Sequence, residues 1–326
     1  MNRLIGRVLA CVLALGVISA TAWTMMPVQV AGVLIGLNNL SAGLSAKTVQ
    51  TDIGEIHYLE GGHGETILLV HGIYARKEHW VDVMRSLVGD YHVIAIDLPG
   101  FGDNAKLPDG QYTLDQQQEN LLSVLQALEL NHVHIAANSM GAYVAALLAA
   151  KRPDLMASFA FIGSPLGVAT PIKSDMDIAR AQGDTPLVVQ NAADFVNRNA
   201  WLAPEMPYVP QPILHSWMQS EVATPDHNAR VWDVVHNQSS VPTLLELAKA
   251  LPMPALVVWC RPDRIFHVSG APLLDQALPV STLAQLDQCG HLPMLDQPDR
   301  IAEIYQAFLA VAKAPRKTAE PPKSPP

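Results

Sequence analysis

Seven short apolar runs separated by stretches of helical period constrain this chain more than any other feature. They are "EIHYLEG", "TILLVHG", "HVIAIDLPG", "HVHIAA", "ASFAFIGS", "ALVVWC" and "STLAQLD". Their β-branched or apolar content and their endings in turn chemistry mark them as strands. Between them the apolar residues fall on one helical face: Trp80, Val83, Met84 and Leu87, then Leu114, Leu121, Leu125 and Leu128, and last Ile301, Ile304, Tyr305, Phe308 and Leu309. Strands alternating with helices of this length predict an α/β fold, a mostly parallel sheet covered on both faces.

The rhythm breaks between Pro165 and Val241, a proline-rich interval with no convincing strand and with helical pieces around 192–198, 213–222 and 227–235. So long a structureless run is improbable inside a compact domain, so the interval reads as an inserted helical cap over the sheet's C-terminal edge. The expected organisation is a core in two parts, 46–164 and 242–312, with the cap at 165–241. The tail, 313–326, is Pro- and Lys-rich, lacks apolar anchors and is expected to be disordered.

No Asp, Glu, Lys or Arg occurs from Val8 to Ala46, whereas Arg3 and Arg7 precede that run. About 20 apolar residues span a bilayer, which predicts a transmembrane anchor in 1–26 with Trp23 at interface depth. Residues 27–45 are expected to form an amphipathic helix along the interface, with Val30, Val33, Leu34, Leu37 and Leu44 near one face. Gly32 and Gly36, four apart, offer a face on which a second copy of that helix could pack, giving a homodimer. The positive-inside rule puts the N-terminus in the cytoplasm and the rest beyond the inner membrane of a bacterium. The alternative is a signal peptide cleaved after Ala20-Thr21-Ala22, which releases the domain.

A formal charge of −9, with no basic tract interleaved with aromatics, gives no reason to bind nucleic acid. Cys11, Cys260 and Cys289 lack zinc-site spacing, so no metal is expected. Cys260 and Cys289 each end a strand. They are expected as buried thiols, with a bridge as the alternative in an oxidising compartment. No glycine-rich phosphate loop follows a strand.

Ligands of open α/β sheets bind beyond the carboxyl ends of the strands. Ser139, His71-Gly72, Asp97, Asp263 and His291 all fall at such ends. A serine nucleophile needs a base to take its proton and an acid to orient that base. "ANSMG" at 137–141 lies between a strand and a helix, close to the G-x-S-x-G elbow, and the order Ser139, Asp263, His291 matches that arrangement. Taken singly, Ser139 could be a helix cap and Asp263 likewise. Of the rival bases, His132 and His134 sit within a strand too close to the elbow, His215, His227 and His236 lie in the cap, and His267, four residues after Asp263, is the one serious competitor, ranked below His291. Asp97 is expected to hold a turn. Backbone N–H groups of Ile73 and Met140 are the expected oxyanion donors.

"LLVHG", "HVIAIDLPGFG", "ANSMGAYVAALLA", "WCRPDRI" and "CGHLP" resemble the conserved blocks of the α/β-hydrolase superfamily over about residues 50 to 312. With the apolar N-terminus and the cap, the chain is most similar to membrane-anchored monoacylglycerol lipases and the bacterial membrane-bound esterases and phospholipases A. The resemblance implies Ser139 as nucleophile, His291 as general base, Asp263 as orienting acid, no metal or organic cofactor, and a glycerolipid ester as substrate. Ala137 and Ala142 depart from the usual glycines of the elbow. Trp201, Trp217, Trp232 and Met218 are candidate pocket or membrane contacts. A carbon–carbon bond hydrolase of the same fold is the second reading, since "NSMG" also resembles that branch. A catalytically dead binding protein is the third. Serine at the nucleophile position disfavours a haloalkane dehalogenase.

Overall fold

Every second residue of the strand Thr66–Val70 faces a different core, and this alternation organises the molecule. Leu68 and Val70 join one buried cluster, Ile67 and Leu69 the other. A strand buried on both faces reads as an unbroken apolar run, as "TILLV" does. The computed structural model describes residues 23–204, 207–238 and 241–312.

The described chain opens with helix α1 (Pro27–Ser41) and strands β1 (Leu44–Thr51), β2 (Gly54–Gly61) and β3 (Thr66–Val70). Then follow α2 (Val81–Leu87), β4 (His92–Ile96), α3 (Leu114–Ala127), β5 (Val133–Asn138), α4 (Ser139–Lys151) and β6 (Met156–Pro165). Four helices come next: α5 (Asp175–Ala181), α6 (Ala192–Leu202), α7 (Gln211–Val222) and α8 (Pro225–His236). The chain continues through α9 (Leu244–Lys249), β7 (Ala255–Cys260), α10 (Ala271–Ala277), β8 (Ser281–Leu286), α11 (Pro293–Asp296) and α12 (Pro298–Ala312).

The eight strands lie in the order β1-β2-β4-β3-β5-β6-β7-β8. β1, β2 and β4 pair antiparallel in turn, and the remaining pairs are parallel. Residues of α3, α4, α9 and α10 pack on one face, and those of α2 and α12 on the other. Helix starts follow local chemistry. Thr113 accepts from the Gln116 N–H, and Ser174 with Asp177 and Thr243 with Glu246 form reciprocal capping boxes.

The N-terminal expectation needs two corrections. Leu44 is not on the helical face; it begins β1 and is buried. Gly43, at φ 74°, lets the chain leave α1 and reverse into the sheet, so the helix ends at Ser41. Nor is α1 sharply two-faced. It packs along α7, and Arg85 ties its end by donating to Asn38 Oδ1 at 2.8 Å and Ser41 Oγ at 2.9 Å. Its other side leaves Met26, Val33, Leu37 and Leu40 exposed, Val33 by 62% and Leu40 by 72%. No helix of the described residues is long and apolar enough to cross a membrane; most of the expected anchor, and the whole tail, lie outside those residues.

Candidate active site

The elbow is built by backbone geometry that an L-residue adopts at a cost. Ser139 holds φ 53°, the left-handed region, between β5 and α4. It is therefore not a cap: Asn138 occupies the N-cap position, and Ser139 is the first helical residue. So sharp a turn needs room, and a Cβ at Gly141 would run into the His71 carbonyl oxygen. Ala137 and Ala142, where glycine is usual, are fully buried, and their methyl groups are part of the core.

Asp263 follows β7 and His291 follows β8, and the two meet. His291 Nδ1 lies 3.2 Å from Asp263 Oδ2, both side chains buried. Asp263 Oδ1 accepts from the N–H groups of Ile265 at 2.8 Å and Phe266 at 3.2 Å, which fixes the carboxylate plane. The Asn138 side chain ties the elbow to the His291 segment by donating to the His291 carbonyl at 3.1 Å. Ser139, His291, Gly72 and Ile73 line one cleft that is partly open to solvent. Met140 and Ile73 line a smaller pocket that also reaches Ser139.

One residue of this constellation was not anticipated. Ser164, near the end of β6, donates its hydroxyl to Asp263 Oδ2 at 2.5 Å and lies 2.9 Å from His291 Nδ1. The signal was present, because "FIGS" ends at the same sheet edge as the other five strand termini; no motif singles out such a serine.

The rivals have other partners. His267 Nδ1 accepts from the Ser269 N–H, and His227 Nε2 lies 3.2 Å from the Tyr112 hydroxyl. His134 pairs with Ser158. The buried Asp97 accepts from the Lys77 N–H at 2.7 Å, Lys77 Nζ at 2.8 Å and the Asp103 N–H at 2.9 Å, which pins the turn as expected. Burial lowers the His71 ring to about 4, so it stays neutral. Its Nε2 accepts from the Leu98 N–H, so the proton is on Nδ1, which donates to the Gly72 carbonyl at 2.7 Å and shapes the loop that presents Ile73. Of the cap aromatics, Trp217 lines the large cleft and Trp232 the smaller pocket, whereas Trp201 stacks on Arg264.

The expectation of free thiols is overturned: Cys260 and Cys289 are bridged. Cys260 does end β7, but Cys289 lies three residues beyond β8, which stops at Leu286; the parallel pairing of these two strands brings the Cα atoms to 5.5 Å, a proximity that sequence spacing does not reveal. The bridge joins the residue three before Asp263 to the residue two before His291. Across a separation of 29 residues the chain-entropy account assigns it about 3–4 kcal/mol.

Asp296 accepts from the N–H of Gly290, next to His291 in the chain, at 2.7 Å. Burial pushes its carboxyl up to about 6, against the Gly290 bond, which lowers it, and with the Asp263 charge, which raises it. The folded protein thus keeps a proton that the unfolded chain releases, and stability contributed by this group falls as pH rises from 3.8 to about 6. Asp296→Asn should leave the melting temperature unchanged at the acid end of that window and raise it by a few degrees above it. A melting-temperature difference that does not vary with pH would contradict this account.

Comparison with known proteins decides the family. A model described as the alpha/beta hydrolase family matches residues 67–304. This chain belongs to that family. Lipase 1 of Psychrobacter immobilis is 28% identical over 262 residues, 79% of this chain and 82% of that protein. A monoacylglycerol lipase of Mus musculus is 24% identical over 257 residues, 76% of each chain. The crystal structure of a membrane phospholipase A, described as a bacterial virulence factor, is 33% identical, with a TM-score of 0.85; the match covers 97% of this chain and 100% of that one. Fold and relatives together make this hydrolase a carboxylic-ester hydrolase of the serine-hydrolase fold.

Proposed function

We propose that this hydrolase cleaves acyl esters of membrane glycerolipids through an acyl-enzyme on Ser139. The observation that carries the proposal is the pairing of Asp263 with His291 from neighbouring strand ends, in the cleft that Ser139 also lines. Asp263 and Ser164 engage His291 Nδ1, which leaves Nε2 to take the Ser139 proton as Oγ attacks the ester carbonyl. The N–H groups of Ile73 and Met140 receive the oxyanion. His291 then returns the proton to the departing alcohol oxygen, and the acyl group stays on Ser139. Water, deprotonated by the same nitrogen, attacks the acyl-enzyme carbonyl; His291 passes that proton to Ser139 Oγ as the acyl–Oγ bond breaks, which releases the fatty acid and restores the serine.

The lipid assignment rests on three supports. Helices α5–α8, the proposed cap, contribute apolar side chains such as Phe195, Leu202 and Leu214 to the cleft. The run from Val8 to Ala46 carries no charge, and α1 exposes an apolar side. The named relatives are lipases and a membrane phospholipase A. We place α1 along a bilayer surface behind a membrane anchor in 1–26. The catalytic domain then lies outside the cytoplasm, a placement with which the buried disulfide agrees.

Rates on p-nitrophenyl esters should rise from acetyl toward medium and long acyl chains, and the protein should stay with membranes through a high-salt wash. A preference for acetyl esters would remove the lipid reading, and recovery in the soluble fraction with an N-terminus at Trp23 would remove the anchor.

A further inference from the structure

The helices between β6 and β7 are fastened to the two loops that carry Asp263 and His291, and one side chain engages two of them. Arg264 directly follows Asp263. Its Nε donates to Asp175 Oδ2 of α5 at 2.6 Å, its Nη1 donates to the Ala200 carbonyl of α6 at 3.1 Å, and its guanidinium lies 4.3 Å from the Trp201 ring centroid. A planar guanidinium can make these contacts together, its edge on two oxygens and its face on an indole; an ammonium cannot.

The backbone repeats the connection. The first N–H groups and the last carbonyls of a helix have no partner inside it. At the end of α6 the Leu202 carbonyl accepts from the His291 N–H at 2.7 Å, and at the start of α5 the Met176 N–H donates to the Arg264 carbonyl at 3.0 Å. Ser174, which caps α5, donates its hydroxyl to the Ile265 carbonyl at 2.9 Å. The fit at the α6 end is close, because a Cβ on Gly290 would lie 2.6 Å from the Leu202 carbonyl oxygen. The open ends of two helices are thus completed by residues 264–265 and by the backbone of His291.

The loop that receives α5 is also the loop that orients Asp263, through the N–H groups of Ile265 and Phe266. Lifting the end of α6 would take the acceptor from the His291 N–H, and shifting α5 would drag the segment that sets the carboxylate. Seating of α5 and α6 and alignment of Asp263 with His291 are therefore one arrangement. The Arg264–Asp175 pair is 43% and 53% exposed, and a pair so exposed contributes little by itself. Its effect lies in what the guanidinium holds in place.

We infer that Arg264 is a positioning residue of the hydrolase reaction: it latches α5 and α6 onto the Asp263 loop, and the seated helices keep His291 against Asp263. The inference rests on Ser139, Asp263 and His291 as the catalytic group.

The test compares kcat and KM for p-nitrophenyl acetate, which is too small to need these helices for binding, and for a medium-chain p-nitrophenyl ester. Wild type, Arg264→Lys, Arg264→Ala and Gly290→Ala are measured, each shown by its melting temperature to be folded under assay conditions. Misplacing a reacting group by about 1 Å costs up to about a hundredfold. Arg264→Ala should therefore lower kcat by about ten- to a hundredfold on both esters, the acetate included. Arg264→Lys keeps a cation for Asp175 but loses the fork and the stacking face, and should fall between wild type and Arg264→Ala. Gly290→Ala, which pushes on Leu202 from the His291 side, should also lower kcat on the acetate. Wild-type kcat on the acetate in either alanine variant would overturn the latch. So would a change confined to KM for the longer ester, which would make Arg264 a support for the acyl-binding wall alone. Ser139→Ala separates the two levels of the proposal. If it keeps hydrolysing both esters, the catalytic group is wrong; if it abolishes hydrolysis while Arg264→Ala keeps wild-type kcat on the acetate, only the latch is wrong.

Discussion

Ser139→Ala should lower ester hydrolysis by about 10⁵-fold or more, because removing a triad nucleophile costs about as much as removing the whole triad. The fall should be in kcat, with KM little changed, since the hydroxyl contributes almost nothing to holding the substrate. Alanine is also a milder occupant of the elbow than most residues. At φ 53° any Cβ is strained, so this substitution changes chemistry and leaves the turn as it was. Steady-state kinetics on p-nitrophenyl esters, with the melting temperature as a control, measure both. A variant that keeps a tenth of the wild-type rate would require another nucleophile.

Asp263→Asn should lower kcat by about 10⁴-fold, the effect of presenting the wrong histidine tautomer. The carboxylate accepts on both oxygens: Oδ1 from the Ile265 and Phe266 N–H groups, Oδ2 from Ser164 and His291. An asparagine can keep its oxygen toward the two backbone donors. Its amide then points at His291 Nδ1 and the Ser164 hydroxyl, which favours an imidazole protonated on Nε2, the nitrogen that must act as base. Ser164→Ala tests the same contact from the other side and should cost far less, since the direct contact between His291 and Asp263 remains. If Asp263→Asn retains near wild-type kcat, Asp263 is a turn-forming residue only.

The alternation of buried strands and amphipathic helices was legible because burial on both faces writes itself as runs such as "TILLV" and "ALVVWC". The candidate site residues were legible as a group because ligand sites of open α/β sheets form beyond the strand ends, where chain order and turn residues mark them. β1 was not read as a strand: "LSAKTVQT" is an edge strand whose residues are mostly exposed, so it carries little apolar alternation. Leu44 was misassigned for the same reason, its one buried face being indistinguishable from the end of an apolar helix. Helix α5 was missed because it is short and starts on a capping box without a strong apolar stripe. The disulfide and Ser164 depend on which strands become neighbours, β7 with β8 and β6 with β7, and that information lies in tertiary packing.

A covalent intermediate on one serine is tested most directly by trapping it. The purified protein should be mixed with a p-nitrophenyl phosphonate carrying a medium alkyl chain and analysed by intact mass and peptide mapping. The account predicts one phosphonyl group per chain, on the peptide holding Ser139, with activity lost in proportion to labelling and no label on Ser139→Ala. A label on another residue, or full inactivation with Ser139 unmodified, would contradict it.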